Sequence, residues 1–149
     1  MPIAPTARDT HSYLGFLLSQ HAAALNRATA DALAPYGIVP RSLGVLEALA
    51  ARGPSSQREI GETCRIDRTT MVAIIDELEA AGLVSRAVDP EDRRAHLVRL
   101  TRRAATVLRG ARAAARRAED VHCSALLGTE RDSLVALLQR SLPKVQGCS

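Results

Sequence analysis

The sequence predicts a mainly α-helical domain with one small β-hairpin, and three observations carry that expectation. The 149-residue chain is rich in alanine and leucine but holds only two Tyr, one Phe and no Trp, which favours helices over an aromatic-rich β-sandwich. Apolar residues recur at helical spacing along most of its length. Where that period lapses, between Leu83 and Leu100, two short partly alternating runs flank the turn-like "DPEDRR", as paired strands do.

The elements follow in order. Residues 1–8, with two prolines and no apolar run, read as a disordered arm. Asp9 or Thr10 is placed to cap a first helix whose stripe is Leu14, Leu17, Leu18, His21, Leu25, Ala28 and Ala32. Pro35, Tyr36 and Gly37 end it. Pro40 suits the first turn of a second helix carrying Leu43, Leu46 and Leu49, and Gly53-Pro54 breaks that one. "SQRE" then offers a capping box, Ser56 with Glu59, for a short helix over about 57–63 with Ile60 inward. Cys64, Arg65 and Ile66 lead to Asp67, a good N-cap for a helix burying Met71, Ile74, Ile75 and Leu78 and stopped by Gly82. After the hairpin, Thr101 caps a long helix with Ala104, Val107, Leu108, Ala111, Ala115, Ala118 and Val121 on one side and arginines on the other. Gly128 interrupts it, and Thr129 with Asp132 is placed to cap a last helix bearing Leu134, Leu137, Leu138 and Leu142.

A short helix, tight turn, second helix and hairpin make a winged helix-turn-helix lobe, here over 38–100. The long elements at 9–34 and 101–145 cannot bury their stripes on so small a centre, so they are expected to form a helical stem shared with a second copy. Together they make one domain, 9–149.

Charge points to the partner. The net formal charge is +4, and nine arginines but no acid lie between Arg93 and Arg117. Arginine suits bidentate contact with phosphate or a guanine edge, so nucleic acid is the first partner to consider. On the helix from Asp67, Thr69, Val72, Ala73 and Asp76 lie opposite the apolar stripe, with Arg68 and Thr70 on the flanks. In a major groove the threonines would bond phosphate or base edges and Val72 and Ala73 would meet thymine methyls. Arg68 would take a phosphate or purine edge, and the helix N-terminus would aim free N–H groups at phosphate. The plainer alternative is an ordinary amphipathic helix with small outer residues. The hairpin tip is open in the same way: a solvated, ion-paired turn, or a wing in which Asp92 pairs with Arg86 or a backbone N–H. In that wing Arg94 would enter a minor groove and Arg93 would lie on the backbone. Arg102 and Arg103 lie near that wing, whereas Arg116 and Arg117 are too far along the helix.

"IDRTTMVAIIDELEAAGLVSRAVDPEDRRAHLVRLT", Ile66 to Thr101, resembles the recognition helix, "LEaxGLV" exit and "DpxDrRxxxvxLT" wing of the MarR family of bacterial transcription regulators. The likeness extends over about Leu14 to Leu142. It implies a homodimer of two winged lobes on a helical stem, bound to a near-palindromic operator, mostly as a repressor, and released by a small effector, usually phenolic or carboxylate. Ser56, Arg68, Thr69 and Thr70 fall on the family's DNA-contact positions and Arg94 on its wing arginine. An effector crevice between stem and lobe would be walled by Leu17, Leu46 and Leu108, with His21 meeting a ligand carboxylate. The chain departs from the family pattern where Val72-Ala73 replaces a hydroxyl and an arginine, where Ala104 replaces a glycine, and where Arg65 stands for a glycine and so needs a left-handed backbone. The oxidant-sensing branch uses a cysteine in the first helix, and none precedes Cys64.

Other function classes find less support. The four histidines show no HxxxH or HxH spacing and the three cysteines no CxxC pair, so no metal site or cofactor is expected. Cys64 reads as a packed small residue, while Cys123 and Cys148 would react only if exposed. No nucleophile–base set or glycine-rich phosphate loop suggests an enzyme. With no apolar run of about 18 residues, a cytoplasmic, nucleoid-associated protein is expected. A thiol- or zinc-responsive regulator of the same fold, and a helical protein-interaction module, stand as alternatives.

Overall fold

The computed structural model describes residues 13–142. The expected arm and the Asp9 or Thr10 cap lie outside this range, as do His11 and Cys148. Six helices and a hairpin are seen: α1 Leu14–Leu33, a 3-10 turn Ala34–Tyr36, α2 Pro40–Arg52, α3 Gln57–Cys64, α4 Arg68–Ala80, β1 Val84–Val88, β2 His96–Leu100, α5 Arg102–His122 and α6 Gly128–Ser141.

The core is assembled from one face of each lobe helix. Leu46 and Leu49 of α2, Ile60 of α3, Met71, Ile74, Ile75 and Leu78 of α4, Leu83, Val84 and Val98 of the hairpin region, and Ala104, Leu108 and Ala111 of α5 are all buried in one cluster. Each large aliphatic side chain so buried stabilises the fold by about 1.5–3 kcal/mol. Small alanines let α5 approach closely, and α1 packs along it. Arg112 of α5 adds a bidentate pair to Glu47 of α2, Nε–Oε1 2.6 Å and Nη2–Oε2 2.5 Å.

The local signals for helix starts act as caps. Ser56 Oγ accepts from the Glu59 N–H at 3.3 Å while the Glu59 carboxylate accepts from the Ser56 N–H at 2.8 Å. Asp67 Oδ1 accepts from the Thr70 N–H at 2.9 Å, and Thr101 Oγ1 accepts from the Ala104 N–H at 3.2 Å while donating to the Gly82 carbonyl at 2.7 Å. Cys64 belongs to α3, so the link to the Asp67 cap is one residue shorter than expected. Arg65 turns it with φ 54° and ψ 43°, the left-handed conformation anticipated for it.

The strands pair antiparallel with Val84 opposite Leu100, Arg86 opposite Val98 and Val88 opposite His96. Ser55 adds a one-residue bridge to the other side of β2, exchanging both backbone bonds with Val98 at 3.1 and 2.8 Å.

One cap is corrected. The last helix starts at Gly128, not after Thr129, because the Glu130 carboxylate reaches back to the Leu127 N–H at 2.8 Å. Glu130 thereby does what Thr129 and Asp132 were expected to do, with the cap two residues earlier, at Leu127.

Candidate nucleic-acid interface

Helix α4 presents two unlike faces. Met71, Ile74, Ile75 and Leu78 are sealed against α3 and the hairpin, whereas Arg68, Thr69, Val72, Ala73 and Asp76 are exposed. The outward face is therefore free for a partner while the inward one fixes the helix. Val72 is 38% exposed, an apolar side chain left in water beside hydroxyl and charged neighbours. Thr70 is half-buried and its hydroxyl donates to Asp67 Oδ2 at 2.6 Å, so its proton is already engaged. That bond, with the Thr70 N–H, holds the Asp67 carboxyl below the usual carboxylate range. Ser56 is half-buried, and its hydroxyl donates to Glu59 at 2.8 Å. Of the polar residues singled out on α3 and α4, Thr69 and Arg68 thus offer the most open groups.

The hairpin tip is organised by its acids. Asp92 Oδ1 accepts from the Arg94 N–H at 2.9 Å, Asp89 Oδ1 accepts from the Glu91 N–H at 2.9 Å, and Asp89 N–H donates to the Ala95 carbonyl at 3.0 Å. Carboxylates therefore shape the turn, and the Arg93 and Arg94 side chains stand exposed on it. Of the two partners expected for Asp92, the backbone N–H is the one seen. Arg86 pairs elsewhere: with Asp76 at 2.5 Å and with Glu79, both on α4. The reason is position, since the middle of β1 lies beside the end of α4 and away from the tip. Arg102, exposed in the first turn of α5, follows directly after β2 and the Thr101 cap.

The residues expected to wall an effector crevice fall into two environments. Leu46 and Leu108 are 0% and 3% exposed within the lobe core. Leu17 and His21 are exposed on α1, and His21 Nδ1 is 3.1 Å from His122 Nε2 of α5. A groove of about 430 Å³ between α2 and α5 is lined instead by Leu43, Glu47, Arg112, Ala115, Arg116 and Glu119. Cys64 is half-buried, its Sγ 3.7 Å from the Gly44 carbonyl, and burial pushes its thiol up from the ordinary range, away from thiolate chemistry. Among the described residues, no three His, Cys, Asp or Glu side chains gather as a metal site.

Sequence reasoning missed the Arg86–Asp76–Glu79 group and the Arg112–Glu47 pair. The first had a signal: Asp76 and Glu79 stand three apart on one helix, and Arg86 follows seven residues later across a glycine turn. The second joins residues far apart in sequence and had none.

The comparisons with known proteins fit this architecture. The MarR family model matches residues 36–95, and a MarR family transcriptional regulator from Rhodococcus sp. RHA1 is 31% identical, with 85% of this chain and 89% of that one covered and a TM-score of 0.79. The chain belongs to the MarR family. A second MarR-like structure, the transcriptional repressor CouR bound to a 23-mer DNA duplex, is 30% identical over 94% of this chain and 98% of that one, with a TM-score of 0.83. CouR from Rhodococcus jostii RHA1 has also been seen bound to p-coumaroyl-CoA. The HTH-type transcriptional repressor NicR of Pseudomonas putida is 34% identical over 95 residues, 64% of this chain and 60% of that protein. The chain spans 63% and 60% of the length of two curated relatives it matches. As a MarR family member the chain has the winged helix-turn-helix fold, with α3 and α4 as the helix pair and β1–β2 as the wing.

Proposed function

We propose that this chain is the protomer of a homodimeric, sequence-specific DNA-binding transcriptional regulator, acting as a repressor that a small effector releases. The observation that carries the reading is the outward face of α4. It is exposed and capped at its N-terminus, and it sits next to a hairpin with two open arginines on a fold shared with a repressor seen on DNA. In this reading Thr69, Val72 and Ala73 face a major groove, with Arg68, Thr70 and the start of α3 at Ser56 along its phosphates. Arg94 enters the flanking minor groove, and Arg93 and Arg102 lie on the backbone. Because Val72 and Ala73 offer only methyl contacts, much of the sequence preference comes from DNA shape.

The second copy is supported by what the single chain leaves uncovered. Tyr13, Leu14, Val121, Leu127, Leu137 and Leu142 are 52–75% exposed, on α1, α6 and the end of α5 or at the residues capping α1 and α6. Exposed apolar residues gathered at one end mark an interface. We place the boundaries at 9–34 with 101–145 for the shared stem and 38–100 for the DNA-facing lobe. The arm at 1–8 lies outside both. Two lobes related by a twofold axis read half-sites about one helical turn, roughly 10 base pairs, apart.

The effector reading is a phenolic or carboxylate compound entering between stem and lobe, as CouR's p-coumaroyl-CoA suggests. Leu17 and His21 are its accessible side, whereas Leu46 and Leu108 would be reached only after the core opens. None of the described helices is long and apolar enough to cross a membrane, and we assign the protein to the cytoplasm, on the nucleoid.

The test is selection of duplexes from a randomised library by the purified protein, followed by binding of the winner and a scrambled version across a salt series. A near-palindromic winner whose advantage survives at moderate salt is expected. Equal binding to both sequences would reduce the protein to a basic surface and favour the interaction-module alternative.

A further inference from the structure

We propose that Arg86 is a positioning residue for DNA recognition: it draws two carboxylates of the reading helix away from the duplex and ties that helix to the wing. The inference rests on the DNA-binding reading above. Asp76 lies on the same side of α4 as Thr69, Val72 and Ala73, one turn beyond the last two, and its side chain is 59% exposed. Unpartnered, it would place a negative charge on the face meant for a polyanion. The Arg86 Nη2 instead donates to Asp76 Oδ1 at 2.5 Å, and Nη1 donates to the Glu79 carboxylate. The Arg86 backbone N–H donates to Glu79 Oε1 at 3.1 Å as well. Gln57 of α3 stands beside the same guanidinium, and with its amide oxygen and nitrogen exchanged it would accept from Arg86 Nε at 3.1 Å and Nη2 at 2.9 Å.

One guanidinium thus joins the short helix, the reading helix and the first wing strand. Its own side chain is only 26% exposed, so it is turned toward its partners rather than outward. A lysine could not serve all three, since its single ammonium lacks the planar fork. The arrangement also bears on how a helix with a net acidic second half, Asp76, Glu77 and Glu79, can lie against phosphate: one guanidinium engages two of those carboxylates and offsets one of their charges before DNA arrives.

The experiment is a coupled set of variants measured on the duplex selected by the wild-type protein. Arg86→Met is expected to weaken binding about tenfold, as the freed carboxylates repel the phosphates. Asp76→Asn with Glu79→Gln should raise affinity little in the wild-type background and much more in the Arg86→Met background. Equal gains in the two backgrounds would overturn the inference, as would no recovery at all, which would put Arg86 itself on the DNA. Amide exchange without DNA gives a second reading. Arg86→Met should speed exchange in β1 and the end of α4 while α2 keeps its protection; unchanged exchange there would remove the tie between helix and wing. If the wild-type protein selects no duplex, the DNA-binding reading and the charge-withdrawal part fall together, and the exchange result alone decides the mechanical part.

Discussion

At the residue scale, the wing shows how charge can be arranged by its opposite. The Asp92 carboxylate spends itself on the Arg94 N–H, leaving the Arg94 guanidinium at the tip. Arg94→Ala keeps that backbone bond, so the turn should survive and only the contact should go. We expect a loss of about 1–3 kcal/mol per lobe in binding to the selected duplex, read by fluorescence anisotropy; an unchanged affinity takes the wing out of the mechanism. Glu59 makes a second residue-scale case. The Ser56 N–H, then the Ser56 hydroxyl, hold its carboxyl below the ordinary range, against a smaller upward push from burial, with Arg52 and Arg58 adding to the lowering. A depressed folded-state value means the unfolded chain binds the proton more tightly. The stabilisation is therefore full above the ordinary glutamate range and is lost as pH falls through the folded-state value. Glu59→Gln should lower the urea midpoint at neutral pH, and the gap to wild type should close on acidification. A gap that stays constant with pH would show that the carboxylate's charge is not what the cap uses.

At the element scale, helix packing sets a constraint that pattern reading does not reveal. Gly110 lies within α5, and a Cβ built there would stand 2.5 Å from Tyr36 Cε1 and 2.9 Å from its hydroxyl. The 3-10 turn after α1 therefore rests its ring in the notch of a glycine. Replacing a mid-helix Gly with Ala ordinarily gains about 1 kcal/mol, while overpacking costs about 1–3 kcal/mol. The contact is close enough for the cost to prevail, so Gly110→Ala should lower the melting temperature. In a Tyr36→Ala background the same change should raise it; destabilisation in both would mean the ring is not the obstacle. Nothing in the sequence marked this pair, because 74 positions separate its members and neither belongs to an apolar stripe. What was legible was local. The Ser56, Asp67 and Thr101 caps and the buried row Met71, Ile74, Ile75 and Leu78 each depend on residues within a few positions, whereas the left-handed Arg65 was legible only through the family resemblance. Of the two partners open to Asp92, Arg86 was the one the structure does not use, because the helix acids Asp76 and Glu79 lie nearer to it. Only the strand register, which sets Arg86 opposite Val98, separates the helix acids from the one at the tip. The start of α6 was misplaced for the reverse reason: two plausible local caps competed, and Glu130 closed the earlier turn.

At the scale of the whole molecule, the chain divides its apolar surface between two uses. The lobe keeps its core inside one copy, down to 0% exposure at Val45, Leu46 and Ile75. The far end does not: α6 has no buried residue among those described, and Leu134, Val135 and Leu137 are 42–52% exposed. What fastens α6 in the single chain is Arg131, which pairs with Glu119 at 3.0 Å and with Asp120; those bonds raise the Arg131 value further above its ordinary one. Exposed ion pairs of this kind contribute little to stability, so they can orient α6 against α5 but cannot compensate for a row of leucines in water. A second copy can, and it would also set the spacing of two lobes on one duplex. Leu137→Glu introduces a charge into that row without touching the lobe. Sedimentation is expected to show a dimer for the wild-type protein and a monomer for the variant, with the helical circular dichroism of the lobe retained. Binding to the selected palindrome should fall far more than binding to a single half-site, because a monomer loses the avidity of two linked lobes. A variant that stays dimeric, or one that loses half-site and palindrome binding alike, would place the interface away from α6.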